Sequence, residues 1–99
     1  MKYLTFGAVA ALMAASSVQA GVIERACLSS NRDAANRNLC GCIQEAANLT
    51  LTKGDQRLAA SFFRDPHKAQ VVRQSDNRGH EAFWERYQNF GATAQAFCK

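Results

Sequence analysis

Four cysteines constrain this chain more than any other feature of its 99 residues. Cys40 and Cys42 are separated by one glycine, and Cys27 and Cys98 lie on either side of that pair in the sequence. An even number of cysteines in a short exported chain is typical of a disulfide framework. The simplest prediction is one bridge from Cys27 to the Cys40-Gly41-Cys42 segment and a second from that segment to Cys98. The spacing alone does not say which cysteine takes which partner.

The first twenty residues have the features of a secretory signal peptide. Lys2 gives a positive start, Leu4 to Ala15 is apolar or small almost throughout, and Val18 and Ala20 precede a predicted cleavage site. The apolar run is shorter than the ~20 residues that a membrane-spanning helix requires. Residue 21 is glycine rather than cysteine, so no thiol is predicted there for lipid attachment. We expect a periplasmic or secreted protein without stable membrane insertion.

Removing residues 1–20 leaves 79 residues, which we expect to form a single domain, 21–99. A chain of this length buries only ~60% of its unfolded surface, so disulfides are a common supplement to its core. Eleven basic and eight acidic residues then remain, and the net charge is near +3. The arginines are interspersed with acids, unlike the clustered charge of most nucleic-acid binders, so no nucleic-acid partner is predicted.

The apolar spacing predicts helices and no strands. A short helix is expected over Val22 to Leu28, and a longer one from Ala34 to about Leu49, on which Leu39, Ile43, Ala46 and Thr50 share a face. Gly41 lowers the stability of this helix by ~1 kcal/mol relative to alanine and is expected to admit a closely packed neighbour.

The second half of the chain carries clear helix boundaries. Thr52 and Asp55 form a predicted capping box, and Pro66 ends that helix and begins the next. The final helix carries a predicted apolar seam, whose members are Phe83, Tyr87, Phe90, Ala94 and Phe97. We therefore predict an all-α fold, a small bundle of four or five short helices held by two disulfides.

Cys40 and Cys42 are the first candidates for chemistry. On a regular helix their side chains point about 160° apart, which disfavours a bond between them and favours bonds to two different neighbours. A Cys40–Cys42 disulfide would instead close a small strained ring, typical of exchangeable redox bridges. We prefer the structural interpretation because no strand precedes the pair, as it does in thioredoxin-like sites.

Glu81, Trp84 and Glu85 are candidates for binding a cation. The two acids lie one helical turn apart, where like charges repel unless a cation lies between them. An indole beside two carboxylates suits a guanidinium or ammonium group. The structural alternative, which we favour, is that both acids complement the helix N-terminus while Trp84 borders the core.

The two histidines, His67 and His80, do not predict a metal site. Zinc requires three or four closely spaced ligands, and only Asp76 lies one turn from His80. No haem-attachment motif, phosphate loop or catalytic triad pattern is present, so we predict no metal, no cofactor and no catalytic residues.

Several segments of the mature chain together resemble a group of small exported alphaproteobacterial proteins, some of which carry an automatic label of arginine transporter. These segments are Cys27, Cys40-Gly41-Cys42, Asp55-Gln56-Arg57, Phe62 to Gln70, Arg73 to Asp76, Ala82-Phe83-Trp84, Tyr87, Phe90-Gly91 and Cys98. The resemblance implies at most an accessory that binds arginine or another cationic solute. A chain this short, without a predicted span after signal removal, has no room for a transport path.

We predict a non-enzymatic periplasmic binding or interaction module, with a protein or a small cationic solute as its partner. The alternatives are thiol–disulfide exchange through Cys40 and Cys42, and an arginine-binding accessory that uses Glu81, Trp84 and Glu85.

Overall fold

A computed structural model describes residues 21–30 and 35–98, and it contains five helices in these segments. The predicted signal peptide, residues 1–20, lies outside the described residues. The helices are α1 (Val22–Leu28), α2 (Arg37–Thr50), α3 (Lys53–Arg64), α4 (Pro66–Arg73) and α5 (Arg78–Phe97). The described residues form no strand. The all-α prediction is confirmed.

Side-chain caps define where three helices begin. Asn36 accepts a hydrogen bond from the Leu39 N–H at the start of α2, and Asn77 accepts one from the His80 N–H at the start of α5. Thr52 and Asp55 form the predicted capping box of α3, each side chain accepting from the other residue's N–H. These bonds satisfy backbone donors that the first turn of a helix leaves without partners.

The five helices pack as a bundle in which α1 lies against both α2 and α3. Helix α5 contacts α2, α3 and α4, and α4 also contacts α3. Helix α2 is therefore covered by α1 on one side and by α5 on another. No described helix combines the length and the apolar character needed to cross a membrane.

Aromatic rings fill the space between α3 and α5. Phe62 lies edge-on to Phe83 and Tyr87, with ring centroids 6.0 and 5.3 Å apart. Phe83 stacks on Tyr87 at 5.5 Å, and Phe62, Phe83 and Phe90 are all buried. Edge-to-face pairs of this kind contribute about 0.5–1.5 kcal/mol beyond the area they bury.

Three details of the sequence prediction are wrong. Helix α2 begins at Arg37, after Asn36, rather than at Ala34, because the Asn36 side chain caps its first turn. A Cβ at Gly41 would meet only the Glu24 carboxylate at 3.8 Å, an ordinary contact, so close packing does not require glycine there.

The third detail is the end of the apolar seam on α5, where Phe97 is 74% exposed. Cys98 is bonded to Cys42 on α2, so it faces that helix. Phe97 precedes Cys98 by one residue, about 100° around the helix, and points away. The buried seam therefore stops before the last turn.

Candidate functional site

The disulfides join Cys27 to Cys40 and Cys42 to Cys98, and none of the four thiols is free. Helix α1 is thus bonded to α2, and α2 to the end of α5, as the opposite directions of Cys40 and Cys42 predicted. The two closed loops do not overlap in sequence. By the loop-entropy relation, closing them destabilises the unfolded chain by about 3 and about 4 kcal/mol, respectively.

The two bridges differ in how far water reaches them. Cys27 and Cys40 are 4% and 0% exposed, whereas Cys42 and Cys98 are half-buried. Cys40 and Cys42 are not bonded to each other, so the strained redox ring considered from the sequence is not the arrangement found.

A buried pair of glutamines joins the first three helices. Gln44 on α2 accepts a hydrogen bond from the Glu24 N–H of α1 at 2.9 Å. Its amide nitrogen donates to Gln56 on α3 at 2.8 Å and to Asn48 at 2.9 Å. The Gln56 amide nitrogen lies within hydrogen-bonding reach of Asn48 and of the Ala47 and Leu51 carbonyls. We call Gln44, Asn48 and Gln56 the amide clamp.

The backbone of Gly21 lies directly against this clamp. A Cβ placed on Gly21 would overlap the amide group of Gln44. Because Gln44 is 7% exposed and bonded on both ends of its amide, it has little freedom to move aside. A residue without a side chain is needed at this close approach.

The amide clamp forms part of a cavity of about 760 Å³ between the start of α1, the middle of α2 and the start of α3. Charged side chains of both signs surround it: Glu24, Arg25, Arg37, Glu45, Lys53 and Arg57. Gly21, Val22, Asn38, Gly41 and Cys42 complete the lining together with the clamp. This surface combines amide groups, four cations and two carboxylates.

A smaller cavity of about 280 Å³ continues along α1 and α3. It shares Val22, Arg25 and Arg57 with the larger one, so the two adjoin. Its remaining lining residues are Ala26, Ser29, Ala60 and Arg64. We call the two cavities together the α1–α3 groove.

An ion pair between α3 and α5 lies outside this groove. Arg86 on α5 donates to both carboxylate oxygens of Asp55, at 2.7 and 3.0 Å. This hydrogen bonding lowers the pKa of Asp55, although burial opposes the shift. The same bond, with smaller electrostatic contributions from Asp55 and Glu85, raises the pKa of Arg86 against partial desolvation. Asp55 therefore caps α3 and anchors α5 at once.

The structure places Glu81, Trp84 and Glu85 in the first turns of α5. Both carboxylates are exposed. Trp84 is half-buried, and its ring packs against Tyr87 at 5.0 Å and Phe83 at 6.5 Å. These contacts are those of an indole at the border of the core, and none of the three residues lines the α1–α3 groove.

Neither histidine belongs to a cluster of ligands. His67 is exposed in the first turn of α4, and the Nδ1 atom of His80 lies 2.9 Å from the Ser75 hydroxyl. Among the residues that the structure describes, no three His, Cys, Asp or Glu side chains are grouped so as to hold a metal ion.

Sequence reasoning missed the groove, because its key residues are polar and belong to three helices. Gln44 was the residue from which the sequence could have indicated a polar contact inside the bundle. It falls four residues after Cys40, three before Ala47 and seven before Leu51, all of which are buried. A polar residue on a buried helical stripe normally requires hydrogen-bond partners.

Searches against protein-family models, curated proteins and solved structures find no match to this chain. The resemblance to small exported proteins therefore stays a prediction made from the sequence.

Proposed function

We propose that the mature chain is a small exported binding module without catalytic activity, and that the α1–α3 groove is its binding surface. The observation that carries this proposal is the construction of the groove. The Cys27–Cys40 bond and the amide clamp hold α1, α2 and α3 together around an open polar cavity. Binding to a surface already held in place avoids the entropic penalty of ordering it.

The cysteines support the exported location. All four are paired, and disulfides form and persist in oxidising compartments outside the cytoplasm.

The pKa shifts of Asp55 and Arg86 do not mark a candidate active site. Perturbed groups often mark active sites, but these two side chains are bonded to each other and do not line the groove. Their shifts are explained by a helix cap and an ion pair.

Site-specific photocrosslinking in the producing cell tests the proposal. A photoreactive amino acid at Asn38 or Glu45 places the probe at the wall of the groove, whereas the same substitution at exposed Gln88 on α5 is the control. We expect a discrete crosslinked product from the two groove positions and none from Gln88. Products of equal yield at all three positions, or at Gln88 alone, contradict the proposal.

Thiol–disulfide exchange is the alternative that the cysteines suggest. Exchange requires access to a sulfur atom, so it would have to begin at the half-buried Cys42–Cys98 bond rather than at Cys27–Cys40. In an insulin-reduction assay we expect the protein to add nothing to the rate with dithiothreitol alone. A protein-dependent rate that disappears in Cys42→Ala would replace the binding proposal with an exchange function.

The arginine-binding hypothesis rests on the sequence alone, since Glu81, Trp84 and Glu85 line neither cavity of the α1–α3 groove. Calorimetry with free arginine well above a millimolar tests it. Heat of binding that is lost in Glu81→Gln and Glu85→Gln would support that hypothesis, and its absence would remove it.

A further inference from the structure

Three arginines from two helices meet in the narrower part of the α1–α3 groove. Arg25 comes from α1, and Arg57 and Arg64 come from α3. The floor between them is built by Ala26 and Ala60, which are 5% and 4% exposed. Among the residues that the structure describes, no acidic one lines this part of the groove. The positive charge here is therefore local, although the chain as a whole is only mildly basic.

The cations of α3 form a row. Lys53, Arg57 and Arg64 lie within about 40° of one another around the helix and span about 16 Å along it. Lys53 borders the larger cavity, Arg64 the smaller one, and Arg57 both. The row therefore runs the length of the groove, with Glu24 and Glu45 confined to the wider part.

Two members of this row have no counter-ion among the residues that the structure describes. Neither Arg57 nor Arg64 forms an ion pair there. Both are exposed, and they lie about 10 Å apart along α3. An anionic chain that follows the row can pair with each of them in turn.

We propose that the α1–α3 groove binds a carboxylate-rich peptide segment of a partner protein. The planar guanidinium group donates two parallel hydrogen bonds to a carboxylate, which makes arginine better suited than lysine to this task. An extended peptide advances about 3.3 Å per residue, so the 16 Å row accommodates about five residues. A chain lying along a groove fits this shape better than a flat lipid surface does. The inference rests on the proposed binding function and names the chemistry of the partner.

Fluorescence anisotropy with labelled hexaglutamate tests this proposal on the mature protein with both disulfides intact. The test variants are Arg57→Gln and Arg64→Gln. The matched controls are Arg73→Gln and Arg78→Gln, which remove the same charge from exposed positions outside the groove. We expect each test variant to bind about tenfold more weakly, and each control to stay within about twofold of the wild type. Raising the salt concentration to about 0.5 M should weaken hexaglutamate binding more in the wild type than in the two test variants, because the wild type has more charge to screen.

Three results would overturn the proposal. The first is no binding of hexaglutamate by the wild type at millimolar concentration. The second is equal loss in the test and control variants, since that indicates a response to net charge alone. The third is binding to phosphatidylglycerol vesicles through Arg57 and Arg64 without binding to hexaglutamate, which would assign the groove to a lipid headgroup.

The photocrosslinking experiment separates failure of this inference from failure of the proposed function. Crosslinks at Asn38 and Glu45 that persist when hexaglutamate does not bind leave the binding module intact and exclude acidic peptides. If no crosslink forms at Asn38 or Glu45, the result contradicts both the proposed binding function of the groove and the inference of an acidic peptide partner.

Discussion

The bundle has two halves that are held together by different means. Helices α1 and α2 are joined by a disulfide, by the amide clamp and by small buried side chains such as Ala26 and Ala47. Helices α3 and α5 are joined by a cluster of aromatic rings and by one ion pair. Helix α1 has seven residues and α5 has twenty, so only the longer helix presents several turns of apolar surface.

The difference explains why the groove lies beside α1. Large rings fill the space between α3 and α5. Small side chains, Ala26 and Ala60, lie between α1 and α3, and the groove runs along the outer edge of this contact. The Cys27–Cys40 bond and the amide clamp hold α1 in place together with its buried Ile23 and Ala26 side chains. The groove therefore lies where the disulfide and the amide clamp supplement the limited burial that a seven-residue helix can provide.

Phe62→Ala should give the largest loss of stability, about 3–5 kcal/mol, because it leaves a cavity in the aromatic half. Phe97→Ala is the matched control, since the same ring is 74% exposed there and its loss should change stability by less than about 0.5 kcal/mol. Urea unfolding with the disulfides intact, monitored by the fluorescence of Trp84, measures the free energy of unfolding of both variants. Equal effects of the two substitutions would show that the rings do not hold this half together.

Removing the Cys27–Cys40 bond by changing both residues to alanine should lower stability by about 3 kcal/mol. The loss should be concentrated in α1, and hydrogen exchange at the Glu24 amide, which donates to Gln44, reports it directly. Amides of α3 and α5 should keep their protection. The matched double variant of Cys42 and Cys98 leaves α1 bonded, so its Glu24 amide should stay protected. Uniformly faster exchange in the first variant would contradict the division into two halves.

Gln44→Ala should lower stability by about 2 kcal/mol, because it leaves the Glu24 N–H and the Gln56 carbonyl oxygen without their partner. Gln88→Ala on the exposed face of α5 makes the same chemical change and should alter stability by less than about 0.5 kcal/mol. Thermal unfolding of both variants makes the comparison. A near-neutral Gln44→Ala would mean that water replaces the amide clamp.

Acid should weaken the contact between α3 and α5, and we expect this to be the smallest of the four effects on stability. The folded-state pKa of Asp55 is lowered from 3.8, chiefly by Arg86, so its stabilising contribution is present above that value. The contribution is lost as the pH falls through the lowered pKa. Urea midpoints measured from pH 6 to pH 2 should therefore drop less steeply in Asp55→Asn than in the wild type. Parallel curves would show that this ion pair does not contribute to the pH dependence.

Much of the fold follows from local patterns. The bounds of α1, the capping box at Thr52 and Asp55, and the break at Pro66 were predicted, because each depends on residues within a few positions of one another. Phe97 was predicted to be buried and is not, since periodicity shows which residues share a face but not how far the covering helix extends.

The sequence by itself determined an all-helical chain and a need for disulfides, because helical periodicity depends on residues three or four positions apart and the number of cysteines needs no structure. Only the tertiary structure decided how the cysteines pair, that Gln44 and Gln56 meet inside the bundle, and that Arg25, Arg57 and Arg64 line one groove. The physical reason is the same in each case. These contacts join residues far apart in the chain, and their geometry exists only once the helices have packed together.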